Sequence, residues 1–257
     1  MELGLCTISD REASIESVLA HAEQAGYDGV EIWGRDHVGD GSDETCARIV
    51  DVATDHGLSI LAYGSYLRAG AEDFAAELDH EVMVADRLGA DRIRVWAGTV
   101  EYGDHDDAHW DQTVSDLRDL TALAVDHGVD VTVEKHPGYL TNDAEGARRL
   151  VEAVDDAACR LNYQPMFSLS DAEIREEIEL LAPLSNQMHL QAVSKRGADG
   201  HDRCALSEAY YDVEFVVEQF RDDGASDGSI HVEFVDEDLP YPEAIAGDRS
   251  YLSSLLR

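Results

Sequence analysis

Lysine is nearly missing from this chain. Only Lys135 and Lys195 occur among its 19 basic residues, which face 55 aspartates and glutamates, giving a formal charge of -36. So acidic a chain repels a phosphate backbone, which excludes a basic nucleic-acid-binding domain as the default reading. Cysteine is scarce too: Cys6, Cys46, Cys159 and Cys204 form no CxxC pair and no regular spacing, against both a disulfide scaffold and a zinc ribbon. The amino terminus, MELGLCTISDREAS, has no basic segment leading into an apolar one. No apolar run reaches the roughly 18 residues of a membrane span, so a soluble cytoplasmic protein without membrane contacts is expected.

What the chain does have is a 44% hydrophobic content over 257 residues, enough for a substantial core and too much for a disordered acidic segment. No linker or low-complexity stretch divides it, so one domain over residues 1–257 is expected. The combination of acid excess and scarce lysine suits a high-salt cytosol. At about 1 M salt the Debye length is only about 3 Å, and a carboxylate-covered surface stops repelling itself.

Short β-rich runs recur along the whole length, at residues 2–7, 29–33, 59–63, 92–97, 130–135, 160–164, 187–191 and 230–234. Between them lie one-sided helical patterns, such as Ile15, Val18, Leu19 and Ala22, or Trp110, Val114, Leu117 and Leu120. Gly26, Gly57, Gly89 and Gly128 each stand just before a strand, where a helix ending in a left-handed residue would place them. Eight such units predict an α/β fold of the (β/α)8 TIM-barrel type. A doubly wound open sheet is the alternative, but no GxGxxG follows the first strand.

In a barrel of this kind, side chains at the carboxyl ends of the strands converge on one mouth. The fifth strand, VTVEKHPG, offers Glu134 and His136 on one face; the sixth, RLNYQP, offers Asn162 and Gln164; the seventh, QMHLQ, His189 and Gln191; the eighth, IHVEF, His231 and Glu233. A carboxylate in an apolar strand is costly to bury unless paired or bound to a cation. With so few lysines, one divalent metal ion held by Glu134, His189 and Glu233 answers that cost. Oxygen and imidazole donors suit manganese, magnesium, cobalt or zinc. The plainer alternative ties each residue to a neighbouring arginine or water. His136 either contacts substrate or caps the turn at Pro137 and Gly138. Trp33 and Trp96 either wall a sugar pocket or pack the core, and Glu31 either orients a ligand or pairs with Arg94. His231 and Gln191 read as packing or support behind the site. The long polar insertion of residues 194–207 falls where a barrel carries an active-site loop.

In order, the segments GYDGVEIW, LGADRIRVWAG, VEKHPG, MHLQ, HVEF and SYLSSLL resemble the sugar phosphate isomerase/epimerase family of xylose isomerase-like TIM barrels, with a composition of halophilic archaeal type. The resemblance implies a divalent cation held by Glu, Asp, His and Glu on strands five to eight. By position these become Glu134, Gln164, His189 and Glu233. Gln164 and Phe167 stand where the family shows an Asp and a His, so the site has one negative charge fewer and lacks a substrate-gripping histidine. Lys195, six residues after His189, matches a basic position that contacts substrate in the family. Homodimers and tetramers are common there.

The implied activity is isomerisation or epimerisation of a small carbohydrate or its phosphate. Glu134 and Glu233 would be the catalytic acid and base, moving a proton next to a carbonyl through a metal-stabilised enediolate. The alternatives are an inosose dehydratase-like lyase on the same site, or a sugar-binding barrel without turnover, motivated by Gln164 and Phe167. A trinuclear-zinc endonuclease is disfavoured by the same two residues and by the charge. Arg94, Lys195 and Arg196 are the candidate contacts for a substrate anion, too few to require a phosphate.

Overall fold

A computed structural model describes residues 1–197 and 202–256. Eight parallel strands, β1 (Glu2–Cys6), β2 (Gly29–Trp33), β3 (Ser59–Ala69), β4 (Arg92–Ala97), β5 (Asp130–Glu134), β6 (Cys159–Tyr163), β7 (Ser185–Leu190) and β8 (Ser229–Val232), pair in sequence order, and β1 pairs with β8. The barrel is therefore closed, as expected, and not an open doubly wound sheet. Around it run α1 (Ile15–Ala25), α2 (Asp43–Asp55), α3 (Phe74–Leu88), α4 (Asp107–Asp126), α5 (Ala144–Val154), α6 (Asp171–Leu181), α7 (Val213–Asp223) and α8 (Tyr241–Leu255). No described helix is long and apolar enough to cross a membrane.

Local chemistry sets the helix ends. Ser14, Ser42, Asp106, Asp143, Ser170 and Asp212 each accept a hydrogen bond from a first-turn backbone N–H, filling a donor the helix itself cannot satisfy. At the far ends Gly26 and Gly89 adopt left-handed φ values of 81° and 61°. Gly57 and Gly128 do likewise one residue beyond the caps of α2 and α4. The fifth helix uses Asp155 instead, the one non-glycine residue at positive φ among those described, so a search for glycines alone passes over it.

The apolar core lies between sheet and helices, where Val18, Leu19, Leu117, Leu120, Val216 and Phe220 pack against outward strand residues such as Val131 and Ile230. Strand alternation sends Lys135 into this layer, fully buried and 3.0 Å from Glu177 of α6. One of the two lysines thus serves the scaffold. The barrel interior is polar by contrast: Glu31, Arg94, Glu134, Gln187, His189 and His231 are all buried. The third strand runs six residues past the expected end at Tyr63, and its register against β4 shifts between Gly64 and Arg68. Strands six, seven and eight end earlier than expected, leaving Gln164, Gln191 and Glu233 each one residue beyond regular pairing. They stand at the mouth, just past the strand ends, where the Glu233 N–H still donates to the Leu190 carbonyl at 2.9 Å.

Asp248 of α8 is buried and accepts the backbone N–H of Leu206 at 2.8 Å, fastening the β7–α7 connection to the last helix. Burial pushes its carboxyl up to about 6, so its charge opposes folding. The protonated form favours the fold at low pH, and that advantage is lost as the pH rises through about 6. Asp248→Asn keeps the acceptor oxygen and removes the charge. It is expected to gain about 1–3 kcal/mol at pH 8 and less at pH 5 in urea unfolding; an equal effect at both pH values would contradict this.

Candidate metal and substrate site

Three side chains from separate strands meet at the barrel mouth. His189 Nδ1 lies 3.7 Å from Glu134 Oε1 and 3.8 Å from Glu233 Oε1, and these three residues form a group that could hold a metal ion. Each atom is directed by its neighbours. Glu134 Oε2 accepts from Trp96 Nε1 at 2.6 Å and lies 3.3 Å from Arg94 Nη1. Glu233 Oε2 accepts from Gln191 Nε2 at 2.8 Å. In both glutamates one oxygen is tied down and the other faces the imidazole.

The imidazole is fixed from its opposite edge. His189 Nε2 is 2.7 Å from Glu31 Oε2, which also accepts from Gln187 Nε2 at 2.6 Å. An acceptor there places the ring proton on Nε2 and leaves the Nδ1 lone pair for a ligand, the usual arrangement behind a metal-bound histidine. Nδ1 has no hydrogen-bond partner, although it is buried. Space for this arrangement comes from glycines. A Cβ on Gly64 would lie 2.6 Å from Glu31 Oε1 and 2.9 Å from Arg94 Nη2, and one on Gly4 would lie 2.6 Å from the His231 ring. His231 sits beneath, hydrogen-bonded to Ser229 and pushed down to about 3 by burial. It remains a neutral packing residue.

Electrostatics agree with the geometry. Burial works to raise the Glu134 carboxyl, but Arg94 and His189 outweigh it and hold the group down at about 2. Glu233 is raised by burial, with repulsion from Glu134 adding to it. Burial opposes a charged His189, yet Cys6, Glu31 and Glu134 around it hold its pKa well above the ordinary value. The pocket therefore demands positive charge beside Nδ1, which a proton or a divalent cation supplies. Cys6, Glu31 and His189 also lie close enough to share an ion. Both Glu31 oxygens are already engaged there, by Arg94 at 3.4 Å on one side and by Gln187 and His189 on the other, so the Glu134, His189 and Glu233 group fits a cation better.

The remaining expected residues divide into those at the mouth and those away from it. Gln164 is buried and its Oε1 accepts from Gln191 Nε2 at 3.5 Å, one residue removed from Glu233. Phe167 is half-buried and packs on the core. Trp33 donates to Tyr66, Tyr66 meets Trp96 edge-on, and Trp96 stacks on Tyr139 with centroids 5.4 Å apart. These four rings form a continuous wall along the β2–β5 side, in which Trp96 also holds Glu134. His136 lies on its rim, 6.0 Å from Trp96, with Nδ1 donating to the Pro137 carbonyl at 2.7 Å. Arg94 does pair with Glu31, inside the barrel.

The other two cations expected near substrate lie elsewhere. Lys195 is 71% exposed and 3.6 Å from Asp202, while Arg196 pairs with Glu173 at 3.3 Å. An acidic surface offers both a nearer carboxylate than the mouth does. Residues 198–201 of the polar insertion lie outside those described. Sequence reasoning missed Arg203, whose Nη1 donates to Gln191 Oε1, and Tyr66 and Tyr139. An isolated antiparallel bridge joins the Val193 and Arg203 backbones, and no strand or helix period reports such a contact.

Comparison with known proteins places this architecture among characterised relatives. A 3-dehydroshikimate dehydratase of Bacillus anthracis is 25% identical over 203 residues, covering 76% of this chain and 72% of the relative. A solved structure of the IolI protein with a bound zinc atom superposes with a TM-score of 0.82 at 18% identity, covering 100% of this chain and 98% of the other. A D-allulose 3-epimerase from Methylomonas sp. gives 0.78 at 14% identity, covering 99% and 98%. The family profile described as xylose isomerase-like TIM barrel matches residues 19–255, and the chain belongs to that family.

Proposed function

We propose that this protein is a divalent-metal-dependent enzyme that removes a proton next to the carbonyl of a polyhydroxy substrate. The observation that carries the reading is the convergence of Glu134 Oε1, Glu233 Oε1 and the unpartnered His189 Nδ1 on one point of the mouth. Manganese, magnesium, cobalt and zinc all suit these donors, and the zinc bound by the IolI protein supports a divalent ion. Gln164 completes the set through its amide oxygen, a neutral donor where the family carries a carboxylate. When bound, the cation supplies a Lewis acid beside the substrate carbonyl.

The residues of the chain do the rest. One of Glu134 and Glu233 takes the proton, and the other returns it, on the opposite face for an epimerase or at the adjacent carbon for an isomerase. Trp96 and Arg94 fix the Glu134 carboxylate, and Gln191 fixes that of Glu233, so neither reorients during the transfer. The wall of Trp33, Tyr66, Trp96 and Tyr139 offers flat faces to the C–H surface of a carbohydrate and keeps water from one side. A second reading is a lyase, in which the same base removes the proton and water leaves from the neighbouring carbon. The dehydratase relative supports it, as does Phe167, which stands in the sequence where the family shows a histidine.

Glu134→Gln and Glu233→Gln are each expected to lower turnover about 100-fold or more with thermal unfolding little changed. The readout is solvent deuterium uptake by NMR over ketoses, aldoses, ketoinositols, hydroxypyruvate and 3-dehydroshikimate, with each of the four metals and in multimolar KCl. Formation of an unsaturated product selects the lyase; wild-type rates in either variant reject the mechanism. Gln164→Asp restores a charged donor and should tighten Mn²⁺ binding by calorimetry. Unchanged affinity would remove Gln164 from the ligand set.

A further inference from the structure

Beside Glu233 opens a cleft of about 530 Å³, formed by the loops after β1, β7 and β8 and lined by Arg11, Arg203, Phe234 and Tyr241 among others. Proton transfer at Glu134 and Glu233 gives this cleft no role. The Arg203 guanidinium lies 3.9 Å, and that of Arg11 5.1 Å, from the centroid of the Phe234 ring. On the outer helices Arg48, Arg87, Arg148 and Arg175 each meet a carboxylate within 4.0 Å, while Arg118 donates to backbone carbonyls and Arg149 to the Tyr102 hydroxyl. Among the described residues, Arg11 and Arg203 meet none within that distance.

In a chain with 55 acidic and 19 basic residues, a half-buried arginine with no carboxylate within 4.0 Å among the described residues is held by other groups. For Arg203 these are the Phe234 face and the amide oxygen of Gln191, and Gln191 in turn donates to Glu233 at 2.8 Å. Among the described residues, stacking and that hydrogen bond engage the plane and one edge of the guanidinium. Arg203 lines the cleft, and its five-donor fork has capacity for a further acceptor, two hydrogen bonds away from Glu233.

We propose that Arg203, assisted by Arg11, binds a carboxylate of the substrate, so that the enzyme acts on a polyhydroxy carbonyl acid and not on a neutral sugar. This rests on the proton-transfer reading for what happens at Glu233, but the binding claim stands apart from turnover. A carboxylate suits the cleft better than a phosphate. Asp10, Glu12, Asp236 and Glu237 line the same space and repel a dianion about twice as strongly as a monoanion, while a planar carboxylate meets a guanidinium fork through two parallel hydrogen bonds.

Three probes test this on the full metal-loaded chain by calorimetry: D-gluconate, D-glucitol, which carries a hydroxymethyl in place of the carboxylate, and D-glucitol 6-phosphate. Gluconate is expected to bind at least about 10-fold more tightly than either. Arg203→Gln should abolish that preference, and Arg203→Lys, which keeps the charge but not the fork, should recover part of it. Arg11→Gln, on an exposed loop, should weaken gluconate without affecting glucitol. Equal binding of gluconate and glucitol, tighter binding of the phosphate, a preference that survives Arg203→Gln, or no binding of any probe at tens of millimolar would overturn the proposal. A wild-type protein that selects gluconate yet exchanges no substrate proton in the deuterium assay would reject the catalytic reading and leave the carboxylate subsite standing.

Discussion

Burying negative charge inside a closed barrel governs the organisation of this molecule. Glu31 and Glu134 carry side chains only 4% and 3% exposed, and Glu233 keeps 12%. Three carboxylates so close together, in surroundings poor in water, have to be met by positive charge or by protonation. Arg94 meets Glu31 and one oxygen of Glu134. The free oxygens of Glu134 and Glu233 turn instead toward His189, whose own proton is committed to Glu31. The proposed cation site is what remains of that balance once every other donor has been assigned.

The same constraint explains where small residues occur. Gly64 and Gly4 lie on strands yet have no room for a Cβ, because the Glu31–Arg94 pair and the His231 ring occupy the space. Their pleat positions point inward, where an unsuspecting reader of the sequence would expect a branched apolar side chain. The interior of the barrel is thus a polar supporting layer for the mouth, while the apolar packing that holds the fold lies outside the sheet.

Much of this was legible from residues alone, for reasons that can be stated. Strand number and order followed from β-rich runs and helix-ending glycines, because those signals are local. Glu134, His189 and Glu233 were found because the two-residue strand period and the closure of a barrel together bring the ends of β5, β7 and β8 to one place. The extent of β3 was not legible, since the shift between Gly64 and Arg68 breaks the alternation on which a strand is read. Nor was Asp155, an acidic residue doing the work of a C-terminal glycine. Arg203 escaped because its placement depends on Phe234 and Gln191, which are far from it in sequence or on another element. Lys195 attracted weight by its spacing from His189, but a solvated ion pair with Asp202 satisfies it where it stands.

The central claim is that His189 presents Nδ1 to a single divalent ion shared with both glutamates. Titration of Mn²⁺ into metal-stripped protein, followed by the electron paramagnetic resonance of the free ion, tests it most directly. The account predicts one site per chain in the wild type and its loss in His189→Ala, with the unfolding temperature of the metal-free protein little altered. Retention of full Mn²⁺ affinity without the imidazole would contradict it.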